Sequence, residues 1–379
     1  MIMFSPITAV IPGIYATYLI FKRKVKVEKN YFNIGMGILF IWSVIVAILN
    51  NSILSFIGSL LILAYFSVGV IAQRYFDSRK KINKFLKYIT YLTALTAING
   101  IVEKCVYMYI GKPEHRIISA YGNPNMTGAW FASIILVILY LKGITKEKRQ
   151  NNIYNLCIVL ISLGLVLTES TGAFVAFIVS VVCFYLLKHI RNLKKLMVVF
   201  GGIASITMLF ILLQSKGHSQ GIVNEVNTSF TSRYDIWIGS LKMIAEKPLM
   251  GWGILGTLEK GNIYFYNNGN SIHSHNVYLT FLVSGGIFAL GIYLYIKYNI
   301  LKNLFKLYKR REPLLPLLVG LNMMIIVQGL VDCTLYAPQL GVLFMITCAI
   351  TINLTNRRVK ANKKNQGEII DLEIKSIAI

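Results

Sequence analysis

Eleven runs in this chain are long and apolar enough to cross a bilayer, and most of the segments between them are short. A hydrocarbon core about 30 Å thick takes about 20 residues of helix. Inside it, every backbone N–H and C=O must find its partner within the protein. The runs are continuous rather than alternating, which leaves helices and excludes a barrel. They fall at about 4–21, 34–49, 53–72, 85–102, 125–141, 153–168, 173–188, 196–213, 276–296, 314–331 and 336–354. The expected fold is therefore all-α: a polytopic membrane bundle of about 11 helices (10–12). A single integral membrane domain, 1–354, is followed by a basic cytoplasmic tail, 355–379. The first run ends in KRKVKVEK with no small-residue cleavage site, so it reads as a retained helix.

Charge then orients the chain. The formal net charge is +24, yet only 14% of the residues are charged and the basic ones sit in short clusters between apolar runs. That distribution is topological and does not describe a nucleic-acid surface. With the N-terminus outside, the inner loops, the tail and Lys87 hold 31 of the 39 Lys and Arg, leaving eight for the outer segments. The expected topology is N-terminus out and C-terminus cytoplasmic, in a bacterial cytoplasmic membrane. None of the five cysteines forms a CxxC pair, and only Cys105 with Cys333 lie where an outer-face disulfide is conceivable.

Two outer segments, about 103–124 and 214–275, hold four of the five histidines: His115, His218, His273 and His275. A loop as long as the second is uncommon without a role. Apolar Ile236, Trp237, Leu241 and Ile244 recur in it at helical spacing, so a short amphipathic helix is expected from Arg233 to Lys247. Ser232 is its expected N-cap, Asp235 lies in its first turn and Pro248 ends it. Gly251-Trp252-Gly253 reads as a flexible turn.

Arg233 carries the first chemical expectation. A guanidinium grips phosphate oxygens through two parallel donors and keeps its charge, so it suits a diphosphate. An arginine at this depth also meets lipid phosphates, and position alone leaves both readings open. His275, at the start of a span and next to Asn276, is a candidate base for a sugar hydroxyl, or else a helix-end residue. His273 and His275 offer two metal ligands, but no nearby carboxylate or Cys completes a site, so no metal is expected. Arg116 is a second phosphate candidate, beside Gly122-Asn123-Pro124-Asn125. Glu169 and Asp332 emerge on the same side and read equally well as solvated helix ends. Trp237 and Trp252 fit interfacial anchoring or sugar stacking.

Taken in order, Arg233 to Trp237, Pro248-Leu249-Met250-Gly251-Trp252-Gly253, and His273-Ser274-His275-Asn276 followed by Tyr278, Gly285 and Gly286 resemble the core of the O-antigen ligase and O-antigen polymerase family. The GNPN run at 122–125 is similar to an earlier segment of that family, and the resemblance covers about 113–295. It implies a C-type glycosyltransferase (GT-C) fold and a metal-independent, cofactor-free reaction. The donor it implies is a glycan on undecaprenyl diphosphate, at the outer face of the cytoplasmic membrane. Catalysis would fall to Arg233 at the diphosphate and His275 at the acceptor hydroxyl. Substrate contacts would come from Arg116, His273, Asn276, Trp237, Asn125 and Glu169. One departure stands out: many members have Ser-Arg-Gly where this chain has Ser170-Thr171-Gly172, so either another cation, Arg116 or an outer-loop lysine, takes that charge or this member binds its donor differently.

The expected function is a polysaccharide polymerase in cell-envelope glycan synthesis, capsule or O-antigen, with a flippase and a chain-length regulator as partners. A ligase passing the glycan to a different acceptor is the alternative within the class. A transporter is the alternative outside it, disfavoured because the expected spans carry almost no charge near their middles. A structural scaffold leaves the long loop without a purpose.

Overall fold

The computed structural model describes residues 7–189, 222–266 and 271–356, all helix and connecting segments with no strand among them. Eight helices are long and apolar enough to cross a membrane: α2 (Tyr31–Leu49), α3 (Ile53–Tyr75), α4 (Arg79–Tyr109), α5 (Pro124–Ile144), α6 (Lys148–Leu167), α7 (Thr171–His189), α10 (Val277–Lys309) and α12 (Pro338–Asn356). Two further apolar helices, α1 (Ile7–Phe21) and α11 (Leu315–Gln328), are shorter. Ten of the eleven expected spans are thus helices. The run at 196–213 lies outside the described residues, as do His218 and most of the tail. The chain is a polytopic helical membrane protein.

Local chemistry explains where several helices begin. Asn30, Asn123 and Asn276 each accept two backbone N–H groups of the first turn through the side chain, and Ser52 accepts one. Such caps satisfy donors that a helix start otherwise orphans. Pro124 at the first position of α5 removes another orphan donor.

Packing sorts the helices by environment. α5 touches α4, α6, α7 and α11, and it is buried along most of its length; α12 is similarly enclosed. α2 packs on α3 and α10, and α1 on α3. On α6, Leu156, Val159, Leu163 and Val166 form an exposed apolar stripe, and Leu92, Leu95, Ile98 and Val102 form another on α4. Stripes at helical spacing around such a bundle are surfaces that lipid covers.

The long segment before α10 holds two helices, α8 (Ile222–Glu246) and α9 (Gly256–Tyr264). α8 starts eleven residues before the expected position, so Ser232 lies inside the helix rather than at its start, and Asp235 is not in the first turn. The reason is plain in retrospect: no Pro or Gly interrupts 222–233, and nothing else there stops a helix. Asp235 instead accepts the Tyr266 backbone N–H at 3.0 Å. α9 had no clear sequence signal.

One feature of α10 organises the part of the molecule around its N-terminal end. Gly285 and Gly286 leave the helical conformation, at φ −147°, ψ 20° and φ 63°, ψ −162°. A break about 12 Å inside a span frees backbone groups where no water can reach them. The PLMGWG segment supplies the partners. Trp252 N donates to Val283 O at 2.7 Å, Gly253 N to Ser284 O at 2.9 Å, and Ile287 N to Pro248 O at 2.9 Å. Trp42 Nε1 takes Gly285 O at 2.8 Å. The expected flexible turn is therefore pinned into the broken helix, and the two glycine motifs form a single joint.

α10 also runs past its expected end at 296, carrying Lys297 into the bundle. That ammonium is buried, has no hydrogen-bond partner among the described residues, and lies 4.3 Å from the Phe344 ring centre. The expectation of spans almost free of internal charge fails here, because the run was closed one residue too early.

Candidate functional site

The short connection 329–337 between α11 and α12 meets the start of α10. Val277 N donates to Gly329 O at 2.8 Å, and Asn276 Nδ2 to Leu330 O at 3.0 Å. Asn276 thus has its side chain engaged twice, capping α10 with its oxygen and holding the 330 carbonyl with its nitrogen. This junction brings Asp332, fully buried, against both histidines: His275 Nδ1 is 3.3 Å and His273 Nε2 3.5 Å from its Oδ1. Cys333 N donates to the same oxygen at 2.8 Å. Asp332 Oδ2 and His275 Nδ1 are buried and complete no hydrogen bond among the described residues, so Nδ1 meets Oδ1 as a close electrostatic contact. His275 itself sits in the left-handed region, φ 45°, a conformation that non-glycine residues hold only when their surroundings fix it.

Hydrogen bonds assign the tautomers. His275 N donates to His273 Nδ1 at 3.2 Å, so neutral His273 carries its proton on Nε2, facing Asp332. Burial holds His273 down to about 4, with Asp332 opposing and His275 adding to the depression. For Asp332, burial acts upward, but the His275 and His273 imidazoles and the Cys333 N–H outweigh it and hold it at about 2. At neutral pH the centre is an anionic Asp332 beside a neutral His273. His275 turns Nδ1 to the carboxylate, and its side chain is partly exposed.

Both shifts fix the sign of a pH effect. A histidine whose folded value lies below its ordinary 6.5 contributes stability above that value and loses it as pH falls toward about 4. Asp332 follows only below about 3.8. The melting temperature in detergent should therefore drop between pH 7 and pH 5. His273→Gln, which cannot take up a proton, should flatten that segment of the profile; an unchanged slope would remove His273 as its source.

α8 covers this centre from outside. Trp237 Nε1 donates to His275 O at 3.4 Å, and Ile236 and Met243 are buried against Val283 and Phe265. Arg233 lies one turn before Trp237 on the same face, about 6 Å along the axis. It is half-buried, and among the described residues no hydrogen bond or ion pair engages its guanidinium.

Arg116 belongs to a neighbouring cluster. Its Nε donates to Thr168 O at 3.0 Å and its Nη2 to Asn125 Oδ1 at 3.0 Å, and Ser170 Oγ also reaches Asn125 Oδ1 at 3.1 Å. The guanidinium therefore rests on the junction that contains Thr171. Asn125 acts as a bracket between Arg116 and Ser170. Glu169, at φ 52°, pairs with Lys104 at 3.3 Å. The loop beneath is held by buried Glu103, which accepts from Ile118 N and Ser119 N and meets His115 Nε2 at 2.7 Å. The two clusters adjoin: a Cβ on Gly172 would lie 2.9 Å from Val331, the neighbour of Asp332.

Three expectations change. The statement that no carboxylate lies near His273 and His275 fails, since Asp332 arrives from beyond two helices and the three side chains could hold a metal ion. The tautomer nevertheless opposes that use, because the His273 nitrogen nearest the carboxylate bears the proton. Cys105 and Cys333 are both free, one exposed and one buried. Finally, Asp332 moves from a solvated helix end to the middle of the site. Its only sequence signal was a lone acid in the short segment between two apolar runs.

The O-Antigen ligase family's sequence model matches residues 156–294, which include Arg233, the PLMGWG segment, both histidines and the Gly285–Gly286 break. The expected resemblance is thus borne out over most of its span; the GNPN run lies before the matched part. A curated relative, the ComP-specific O-oligosaccharyltransferase of Acinetobacter baylyi (strain ATCC 33305 / BD413 / ADP1), is 25% identical over 194 residues. That match covers 48% of this chain and 34% of the relative, so the likeness spans about a third of the relative's length.

Proposed function

We propose, from a central segment that is of the O-antigen ligase family, that this chain transfers a glycan from a polyprenyl diphosphate to a sugar hydroxyl at the outer face of the cytoplasmic membrane. The observation that carries the reading is His275, backed by buried Asp332 and overlain by the helical turn bearing Arg233 and Trp237. His275 Nε2 takes the proton of the acceptor hydroxyl as that oxygen attacks the anomeric carbon. The bond from that carbon to the diphosphate oxygen breaks, and its electron pair leaves with the diphosphate. Arg233 stabilises the departing charge. Asp332 orients the His275 ring and stabilises the imidazolium that forms. Arg116, on the Thr171 junction, supplies the cation missing from Ser170-Thr171-Gly172.

We favour a polymerase, whose acceptor is a second lipid-linked glycan; a ligase with a different acceptor is the alternative. A flippase to deliver the donor and a chain-length regulator are the partners this reading implies. The orientation inferred from charge, N-terminus outside, places the site on the outer face. The test is purified protein in liposomes supplied with polyprenyl-diphosphate-linked repeat units. A ladder of longer lipid-linked glycans supports the polymerase. Product only after a separate acceptor is added supports the ligase, and no transfer in either case removes the proposal.

Two further outcomes are expected in that assay. Asp332→Asn should slow transfer by about 10- to 100-fold with little change in KM, because His275 loses its anchor rather than the substrate its contacts. EDTA should leave the rate unchanged; inhibition reversed by zinc would assign the His273–His275–Asp332 group to a metal.

Buried Lys297 is the one observation favouring transport. It is packed between aromatic rings, remote in sequence from the histidines, and the nearby helix break is closed by backbone bonds. Lys297→Met should therefore leave transfer within a few-fold of normal. A coupled transporter would instead lose its flux.

A further inference from the structure

Glu103 and Lys104, consecutive residues near the C-terminal end of α4, take no part in the proposed transfer, yet both grip the segment that carries Arg116. A buried carboxylate is costly unless its oxygens are engaged. Those of Glu103 are engaged from one loop. Oε1 accepts Ile118 N at 3.1 Å and meets His115 Nε2 at 2.7 Å, and Oε2 accepts Ser119 N at 2.7 Å. Lys104 presents the opposite polarity, and its Nζ donates to Pro113 O at 2.7 Å and to His115 O at 2.8 Å. Between them Ile117, its side chain buried, donates its N–H to Leu167 O at 3.2 Å. Four successive peptide groups are thus held by atoms outside the loop: 115–116 through its carbonyl, and 116–117, 117–118 and 118–119 through their N–H groups. Arg116 lies inside that run, and its guanidinium then reaches Thr168 O and Asn125 Oδ1, at 3.0 Å each. Lys104 also pairs with Glu169 at 3.3 Å, which leads into the junction on which Arg116 rests.

We infer that Glu103 and Lys104 are positioning residues for the donor's diphosphate and act through Arg116. This rests on the role proposed for Arg116 and adds what keeps its charge in place. Residues 110–123 form no helix, so no hydrogen-bond ladder of their own fixes a cation among them. An arginine on a loose loop gives up the freedom of loop and side chain together when it grips an anion. A backbone already fixed removes the loop's share of that cost from the binding step. The acid and the base divide the work by polarity, because a carboxylate can take only N–H groups and an ammonium only carbonyls. The His115 ring stacks on Tyr107 at 3.5 Å and closes the loop back onto α4.

The test is the affinity of the full-length protein, in detergent, for a polyprenyl diphosphate that carries no sugar, with the matching polyprenol as control. Arg116→Ala should weaken diphosphate binding by about tenfold, the worth of a charge-assisted hydrogen bond. Glu103→Gln should weaken it by a similar factor, about tenfold, because the amide has one acceptor oxygen where two are used and a buried N–H must face its NH2 group. Lys104→Met loosens the clamp from its partly exposed side and should cost about threefold. Glu103→Gln combined with Arg116→Ala should bind no more weakly than Arg116→Ala alone, since the clamp acts through that side chain. If Glu103→Gln does not fold, Lys104→Met with Arg116→Ala completes the same cycle. Polyprenol binding should be equal in all variants. Losses that multiply in the double variant would overturn the inference, as would a parallel loss of polyprenol binding or normal diphosphate binding in Glu103→Gln and Lys104→Met. Normal binding in Arg116→Ala would remove Arg116 from the proposed function and the positioning role with it. Binding as expected in a protein that transfers no glycan would sink the proposed transfer and leave the clamp standing.

Discussion

His275→Ala is expected to abolish measurable glycan transfer while the protein still inserts and folds, melting moderately lower because buried Asp332 loses one of the imidazoles that hold its charge. The expected loss is about 10²- to 10⁴-fold, the usual worth of a positioned acid or base, equivalent to about 3 kcal/mol or more of transition-state stabilisation. The separation from stability follows from the surroundings. His275 is partly exposed, its backbone carbonyl is held by Trp237, and the next residue, Asn276, caps α10 independently of the imidazole. Removing the ring takes away the proposed base and costs Asp332 one partner, but leaves the backbone bonds of the junction in place. Arg233→Ala should fall by a comparable factor, and Arg233→Lys should recover only part of it, because an ammonium lacks the paired donors. Side-by-side rates and melting curves check both. Near-normal transfer in His275→Ala would end its assignment as the base, and a large drop in melting temperature would make its role structural.

Gly286→Ala should produce the opposite pattern, a structural collapse of the joint between 248–253 and α10. At φ 63°, ψ −162° the residue occupies a region essentially closed to side chains. A Cβ there would lie 2.1 Å from Leu249 O, a backbone atom that cannot swing aside. Relieving the clash must separate 248–253 from α10. The Val283 and Ser284 carbonyls and the Ile287 N–H then lose their partners in a place without water. Several kcal/mol of destabilisation is expected, at the far end of what single substitutions do. Gly291→Ala is the control: it lies in the same helix, its Cβ would meet nothing within 4 Å, and it should be neutral or slightly stabilising. Melting temperature in detergent and limited proteolysis across 222–266 read the difference. Equal behaviour of the two variants would show that the joint contributes little.

These two residues also mark how far the sequence could be read. His275 was legible as a candidate because histidines, an arginine and tryptophans in one outer segment are unusual beside so many apolar runs. Its partner was not, since Asp332 lies across two helices and no spacing rule reaches that far. Arg116 was legible as a spare cation, but its place on the Thr171 junction came only with the fold. Gly286 was visible as part of a motif, yet its reason was hidden, because a helix break is only permitted where another segment satisfies it. The start of α8 was misplaced for a related cause: a plausible cap at Ser232 has no force when nothing interrupts the helix before it.

By itself the sequence determined the class of molecule. Apolar run length and the demand for internal hydrogen bonds in lipid admit one secondary structure, and the placement of lysines and arginines sets its expected direction. These are local properties, additive along the chain. Tertiary structure alone decided which residues meet: Asp332 with two histidines, PLMGWG with the broken α10, and Arg116 with Asn125 and Ser170. Those contacts depend on how helices far apart in sequence pack and where one of them breaks, and no periodicity within a single helix encodes that.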